Sequence, residues 1–517
     1  RRRGEESTKS TKTRKQPWGA KQELHKLLLG HNSISVLVIY TTRDLCRPLG
    51  RLSRQLLLTT TRGKPLGRLA LSSFSSTWLA SGTTKNLQTS FTMPRPTPVS
   101  PERLEELAEK YGTPLQLYDG DAMVENARQL LSAFRSEFPT FRQYFAVKAL
   151  PNPAILKLLV NEGFGLDCSS TAELHIAAKL GVPGDMVMYT SNYTSKKDLA
   201  IAFDQGVVVN LDDVSLVDDI VAVRGKCPEL ISFRLNPGLG RTDSETASNV
   251  LGGPNAKFGV PPFQIIEAYR KAKEAGATRF GIHMMTGSCV LNEDYWMDTV
   301  SVLLETMDKL HKELGITFEF CNLGGGLGVA YKPDQDQVDV PSLVKKLKAK
   351  FEASMPEAFK DNWPNLYMEN GRYITGPYGF LVSRCHVIKN SFEKYYGLDA
   401  CMANLMRPGM YGSYHHIYVP SAEARGEPEE EANVVGTLCE NNDWFAKQRL
   451  LPKAQVGDLF VIADTGAHSH SMGFQYNGKL RAPEVLLRNN GADDVLIRDR
   501  ETIEGLYANT HIPADLA

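Results

Sequence analysis

The order of apolar runs along the chain predicts an α/β fold: a closed parallel (β/α)8 TIM barrel over residues 136–375, then a mostly antiparallel C-terminal β domain over 376–517. Three observations carry this reading. Short runs rich in Val, Ile, Phe and Tyr recur eight times, segments with helical spacing separate them, and unusual polar residues gather where the runs end.

The runs are YFAVKA (144–149), GLDCSS (165–170), VMYTS (187–191), GVVVNL (206–211), ISFRLNP (231–237), FGIHMM (280–285), FEFCNLGGG (318–326) and LYMENG (366–371). Between them lie segments such as PAILKLLVNEG and PPFQIIEAYRKAKEAG, apolar at helical spacing and closed by Gly, a common helix stop. Eight such units over roughly 230 residues suit a closed barrel; a doubly wound sheet more often has fewer strands and a phosphate loop after the first. Beyond 376 the helical period fades into strand-like runs with turn residues, among them GFLVSRCHVIK, GDLFVIAD and APEVLLR. Before the barrel, residues 94–135 hold the helical PERLEELAEKYG and the strand-like LQLYD, read as an N-terminal contribution to the β domain.

The 517 residues carry 59 Lys+Arg and 59 Asp+Glu, a balance that hides a sharp asymmetry. Residues 1–93 hold 17 basic and 4 acidic side chains, so this leader is +13 and the rest of the chain is −13. It has no methionine before Met93 and no acidic residue from Cys46 to Met93, as in an organelle transit peptide. Either it is such a peptide, which implies a plastid address, or Met93 is the true start and the protein is cytoplasmic. Its dispersed basic residues lack interleaved aromatics, which argues against nucleic-acid binding. No run approaches the roughly 18 apolar residues of a membrane span. The eight cysteines show no CxxC pair or regular spacing, so neither a disulfide framework nor a metal site is expected.

The barrel reading places chemistry at the C-terminal strand ends. Lys148, Asp167, Asn192, Asp212, Arg234, His283, Gly324–Gly326 and Glu369 all lie at or just past the end of a run. One charged strand end is commonly a solvated boundary; their shared rim is harder to explain that way. A partly desolvated lysine amine can attack an aldehyde, and a triple glycine lets backbone N–H groups approach a phosphate. Together these suggest pyridoxal phosphate, although GGG loops are often only turns and most lysines are solvated.

YFAVKA, GLDCSSTAEL, FRLNPG, NLGGGLG, ENGRY, LMRPGMYGSYHH, CENND and YNGKLRAPEVLL resemble, in that order, the motifs of the fold-type III pyridoxal-phosphate decarboxylases, the diaminopimelate decarboxylases above all. The resemblance covers about residues 95–510. It implies an alanine-racemase-like barrel, a C-terminal β domain, an amino-acid substrate and a homodimer with shared active sites. It also implies decarboxylation of meso-2,6-diaminopimelate to L-lysine and CO2, the last step of lysine biosynthesis.

By that resemblance Lys148 is the lysine to which the cofactor attaches, and Glu369 is the acid that pairs with its ring nitrogen. Gly324, Gly325 and Gly326, with Ser288 and Arg372, form the cofactor cradle. Asp167, Glu173 and Arg234 are supporting polar residues, with rim salt bridges as the structural alternative. Cys439 corresponds to a proton donor supplied across the dimer interface; a lone cysteine is otherwise usually a buried hydrophobe. Arg372, Arg407 and Tyr411 correspond to residues holding a distal carboxylate, and Glu440 to the partner of the distal ammonium.

An arginine at the distal end would oppose a substrate with only a distal cation, which disfavours ornithine- or lysine-type decarboxylation. Those activities and arginine decarboxylation, a related decarboxylase of another substrate with an amino-acid-like distal end, a racemase and a non-catalytic cofactor-binding regulator are the alternatives. The sequence departs from the family pattern at Asn370, where proline is usual, and at Met285, where many relatives have a ring-stacking histidine. His283 is another candidate for that role. His468 stands where a cofactor-contacting tyrosine is usual, with Tyr476 as the alternative.

Overall fold

The computed structural model describes residues 97–240 and 251–516. The basic leader, Met93 and the centre of the 238–257 loop lie outside the described residues. Helix α1 (Pro101–Tyr111) starts on a Ser100 side chain that accepts from Arg103 N and stops at Gly112, whose φ of 73° favours glycine. Strand β1 (Leu115–Asp119) and helix α2 (Gly120–Glu137) follow.

The barrel comprises β2 (Arg142–Ala146), β3 (Gly165–Cys168), β4 (Val187–Thr190), β5 (Val208–Leu211), β6 (Leu230–Leu235), β7 (Arg279–Met284), β8 (Phe320–Asn322) and β9 (Asn365–Met368). All are parallel, and β9 pairs with β2 through Arg142 and Tyr367 to close the ring. Helices α3 (Pro153–Asn161), α4 (Thr171–Lys179), α5 (Lys196–Asp204), α6 (Leu216–Arg224), α7 (Ile265–Glu274), α8 (Asp294–Leu314) and α9 (Val340–Ser354) alternate with the strands. Most of the strands are shorter than their apolar runs, and two of them show why. VKA of the first run winds into a single 3-10 turn, and Gly324, at φ 68°, bends the chain out of β8.

Inside the barrel, Tyr144, Met188, Val208, Phe320 and Tyr367 form an apolar floor. A Cβ on Gly281 would lie 2.0 Å from the Phe320 ring, so the absence of a side chain there is what lets the ring lie across the strand. The filled floor leaves polar side chains at the opposite, C-terminal mouth.

The second sheet comprises β10 (Gly379–Asn390), β11 (Lys394–Leu398), β12 (Ile417–Tyr418), β13 (Glu429–Val435), β14 (Trp444–Pro452), β15 (Leu459–Ile462), β16 (Glu484–Arg488) and β17 (Asp493–Arg498), together with β1. Its path runs β14-β13-β11-β10-β1-β16-β17, with β15 joining β10 and β12. Most pairs are antiparallel, but β1–β16 and β11–β13 are parallel. LQLYD thus lies inside the sheet, antiparallel to β10.

Candidate active site

A cavity of about 350 Å³ opens at the barrel mouth. Lys148 enters it from the 3-10 turn after β2, and its Nζ lies 3.0 Å from Asp167 Oδ2 at the end of β3. The lysine side chain is half exposed into the cavity, whereas Asp167 is buried. Burial alone would lower the Lys148 ammonium, but Asp167, with Glu369 and Glu173 further off, outweighs it and raises the pKa. Burial and Glu369 hold the Asp167 carboxyl above its usual range although Lys148 pulls it down. Glu173 Oε2 accepts from Ser169 N at 2.6 Å, an anchor for the chain entering α4.

Across the mouth, just past β9, both oxygens of buried Glu369 are engaged. Asn322 Nδ2 donates to Oε1 at 2.8 Å, and His283 Nε2 donates to Oε2 from 3.0 Å. Burial by itself would raise this carboxyl; His283, Lys148 and Asn322 together hold it below its ordinary value. Asn322 Oδ1 also accepts from Gly324 N at 2.8 Å, and Glu369 N donates to Gly324 O. Gly324 is therefore turned into this network and does not line the cavity, whereas Gly325 and Gly326 do. Gly325 N donates to Met285 Sδ at 3.2 Å. Met285 and His283 both line the cavity, the ring tied to Glu369 and the thioether set against the glycine loop. Asn370 Oδ1 accepts from Leu327 N and its Nδ2 donates to Gln143 Oε1, each at 3.1 Å. A proline there would supply neither bond.

Three guanidiniums face the cavity. Arg234 donates to Met285 O at 3.0 Å and lies over the Phe258 ring. Arg372 NH1 donates to Tyr331 OH at 3.1 Å. Arg407 NH1 lies 2.9 Å from His415 Nε2, with its guanidinium over the Tyr331 ring. Among the described residues no carboxylate forms an ion pair with Arg372 or Arg407. Ser288 and Tyr411 complete this side. His468, at φ 54°, also lines the cavity, and its backbone N–H bonds Ala149 O. Burial, Arg372, Arg407 and Lys148 hold its imidazole well below the ordinary range, so it is neutral. Tyr476 lies elsewhere, its hydroxyl 3.4 Å from Cys439 O.

Cys439 and Glu440 do not line the Lys148 cavity. They are exposed beside a second cavity of about 530 Å³ between β10, β11, β13 and β14. Asn477 Oδ1 accepts from Cys439 N at 2.8 Å, and Glu440 Oε1 accepts from Asn442 N at 3.0 Å. Tyr331, Asn322 and His415 were not singled out from the sequence. Asn322 directly precedes the glycine run and His415 lies in SYHH, but tertiary contacts alone reveal their partners.

The residues present fit pyridoxal phosphate. Asp167 Oδ1, Asn192 Oδ1, His283 Nδ1 and Arg372 Nε are buried at or beside this mouth without hydrogen-bond partners, so the site is polar beyond what the protein itself satisfies. An amine, a buried carboxylate and a glycine loop beside a guanidinium match an aldehyde, a ring nitrogen and a phosphate.

The family model for the pyridoxal binding domain of pyridoxal-dependent decarboxylases matches residues 124–376. Protein TabA of Pseudomonas amygdali pv. tabaci is 43% identical over 401 residues, covering 78% of this chain and 92% of that protein. Diaminopimelate decarboxylase of Methanothermobacter thermautotrophicus is 38% identical over 413 residues, covering 80% and 94%. A crystal structure of diaminopimelate decarboxylase from M. jannaschii in complex with L-lysine superposes with a TM-score of 0.71 at 30% identity, covering 80% of this chain and 95% of that one. Barrel, mouth chemistry and relatives agree: the chain belongs to the pyridoxal-dependent decarboxylase family that includes the diaminopimelate decarboxylases.

Proposed function

We propose that the protein decarboxylates meso-2,6-diaminopimelate to L-lysine and CO2 as a homodimer with shared active sites, the last step of lysine biosynthesis. The observation that carries the substrate is the pair of Arg407, buried, and Arg372, half-buried, at the cavity without an ion-paired carboxylate among the described residues. Such a pair suits a substrate whose far end carries a carboxylate and opposes one ending in a lone ammonium. TabA, whose name specifies no activity, leaves a second reading: a different chain with the same amino-acid end would satisfy Arg407 equally.

When bound, pyridoxal phosphate supplies an electron sink for the bond to the departing carboxylate. Lys148 Nζ offers the attachment point, and Asp167 holds its charge until then. Glu369, fixed by His283 and Asn322, keeps a negative charge where a ring nitrogen needs a proton partner. Gly325, Gly326 and Ser288 would receive the phosphate. Arg372, Arg407 and Tyr411 hold the distal carboxylate, and the apolar floor closes the barrel beneath. Cys439 Sγ returns a proton to the carbon that loses CO2, and Glu440 meets the distal ammonium. Both are exposed and line a cavity other than their own chain's Lys148 cavity, which supports their serving a second copy's site. Cofactor-loaded protein given meso-diaminopimelate is expected to yield one L-lysine per CO2. Racemisation without CO2 release contradicts the proposal.

A further inference from the structure

His415 is wholly buried and tied at three points. Its Nδ1 lies 2.8 Å from Ala463 O, just past β15, and its own carbonyl accepts from Arg449 NH1 at 3.1 Å. The next residue, His416, accepts through its carbonyl from Ala463 N at 2.9 Å. A carbonyl only accepts, so Nδ1 carries the proton. Arginine only donates, so Nε2, 2.9 Å from Arg407 NH1, must present its lone pair. Both contacts select one neutral tautomer. Burial and the neighbouring Arg407, Arg372 and Arg449 push the imidazole well below its ordinary pKa, in keeping with that state.

The ring also meets Tyr331 edge-on, with centroids 5.2 Å apart, and Tyr331 lies under Arg407 and accepts from Arg372. One guanidinium N–H of Arg407 is thereby committed to an acceptor held by backbone, and its plane is set by the Tyr331 face. A flexible arginine loses rotamer freedom on binding an anion unless it is already oriented. We propose that His415 is a positioning and specificity residue, whose fixed Nε2 acceptor aims Arg407 at the distal carboxylate of the substrate. This rests on Arg407 being the carboxylate anchor.

The test compares KM and kcat for meso-diaminopimelate with inhibition constants for L-lysine, which keeps the distal carboxylate, and cadaverine, which lacks it. His415→Phe keeps the ring and removes the acceptor; it is expected to raise KM and the L-lysine constant about tenfold, with kcat within about twofold and the cadaverine constant unchanged. His415→Gln, which can still accept from Arg407, is expected to recover most of the loss. Should the Phe variant not fold, His415→Asn replaces it, since Asn can still donate to Ala463 O but ends short of Arg407. Equal rises for L-lysine and cadaverine, or a fall in kcat alone, overturn the proposal. A raised L-lysine constant in Arg407→Met beside a wild-type value in His415→Phe overturns the proposal and leaves the anchor reading intact. An unchanged L-lysine constant in Arg407→Met overturns both.

Discussion

Lys148 Nζ and Asp167 Oδ2 stand 3.0 Å apart across adjacent strand ends, so the amine that we propose for the cofactor aldehyde is held as an ammonium beside a buried carboxylate. Because Asp167 raises the Lys148 pKa, removing its charge makes the amine neutral at lower pH. Asp167→Asn is therefore expected to shift the pH dependence of cofactor uptake by the apoprotein downward by about one unit, equivalent to about tenfold faster uptake below the midpoint. Stopped-flow absorbance across pH measures this.

Glu369 is fixed from both sides, by Asn322 at 2.8 Å and His283 at 3.0 Å. Glu369→Gln removes the charge but keeps the shape, and is expected to lower kcat on the order of 100-fold with cofactor still bound. Steady-state kinetics beside the cofactor absorbance separate these effects.

Cys439 lines a different cavity from its own chain's Lys148. Lys148→Ala and Cys439→Ala are each expected to be nearly inactive. Dissociating and mixing them in equal amounts should restore about one quarter of wild-type activity, since half the dimers carry one intact site. No recovery despite demonstrated subunit exchange contradicts the shared site.

Asp494 on β17 binds Arg103 at 2.6 Å, Lys110 at 2.5 Å and Tyr111, which ties α1 to the sheet. Burial pushes its carboxyl up, but hydrogen bonds from Lys110, Tyr111 and Arg103 pull it down from 3.8 to about 2. A depressed carboxylate stabilises the fold above its unfolded pKa and loses that effect as pH falls through the folded one. Asp494→Asn should lower Tm by a few degrees at pH 7, and the gap should narrow from about pH 4 to pH 2. Thermal melts at several pH values check this.

The barrel was legible because each strand is a short apolar run followed by a helix of regular period, and its polar exceptions mark the mouth. Lys148, Asp167, His283 and Glu369 were accessible to that logic. Gly324 was not distinguished from Gly325 and Gly326, because only its backbone bonds to Asn322 and Glu369 turn it inward. His415 and Tyr331 were missed for a related reason. Each lies outside a barrel strand end, and its part in the site comes from contacts between elements distant in sequence. Nor does any local pattern in CENND show that Cys439 opens on a different cavity from Lys148.

The distal-carboxylate reading is tested most directly by the ratio of kcat/KM for meso-diaminopimelate to that for L-ornithine, in wild type and Arg407→Met. A ratio of at least about 1,000 in wild type that falls by about 100-fold or more in the variant is the expected result. Faster turnover of ornithine by wild type, or a ratio untouched by loss of Arg407, would contradict it.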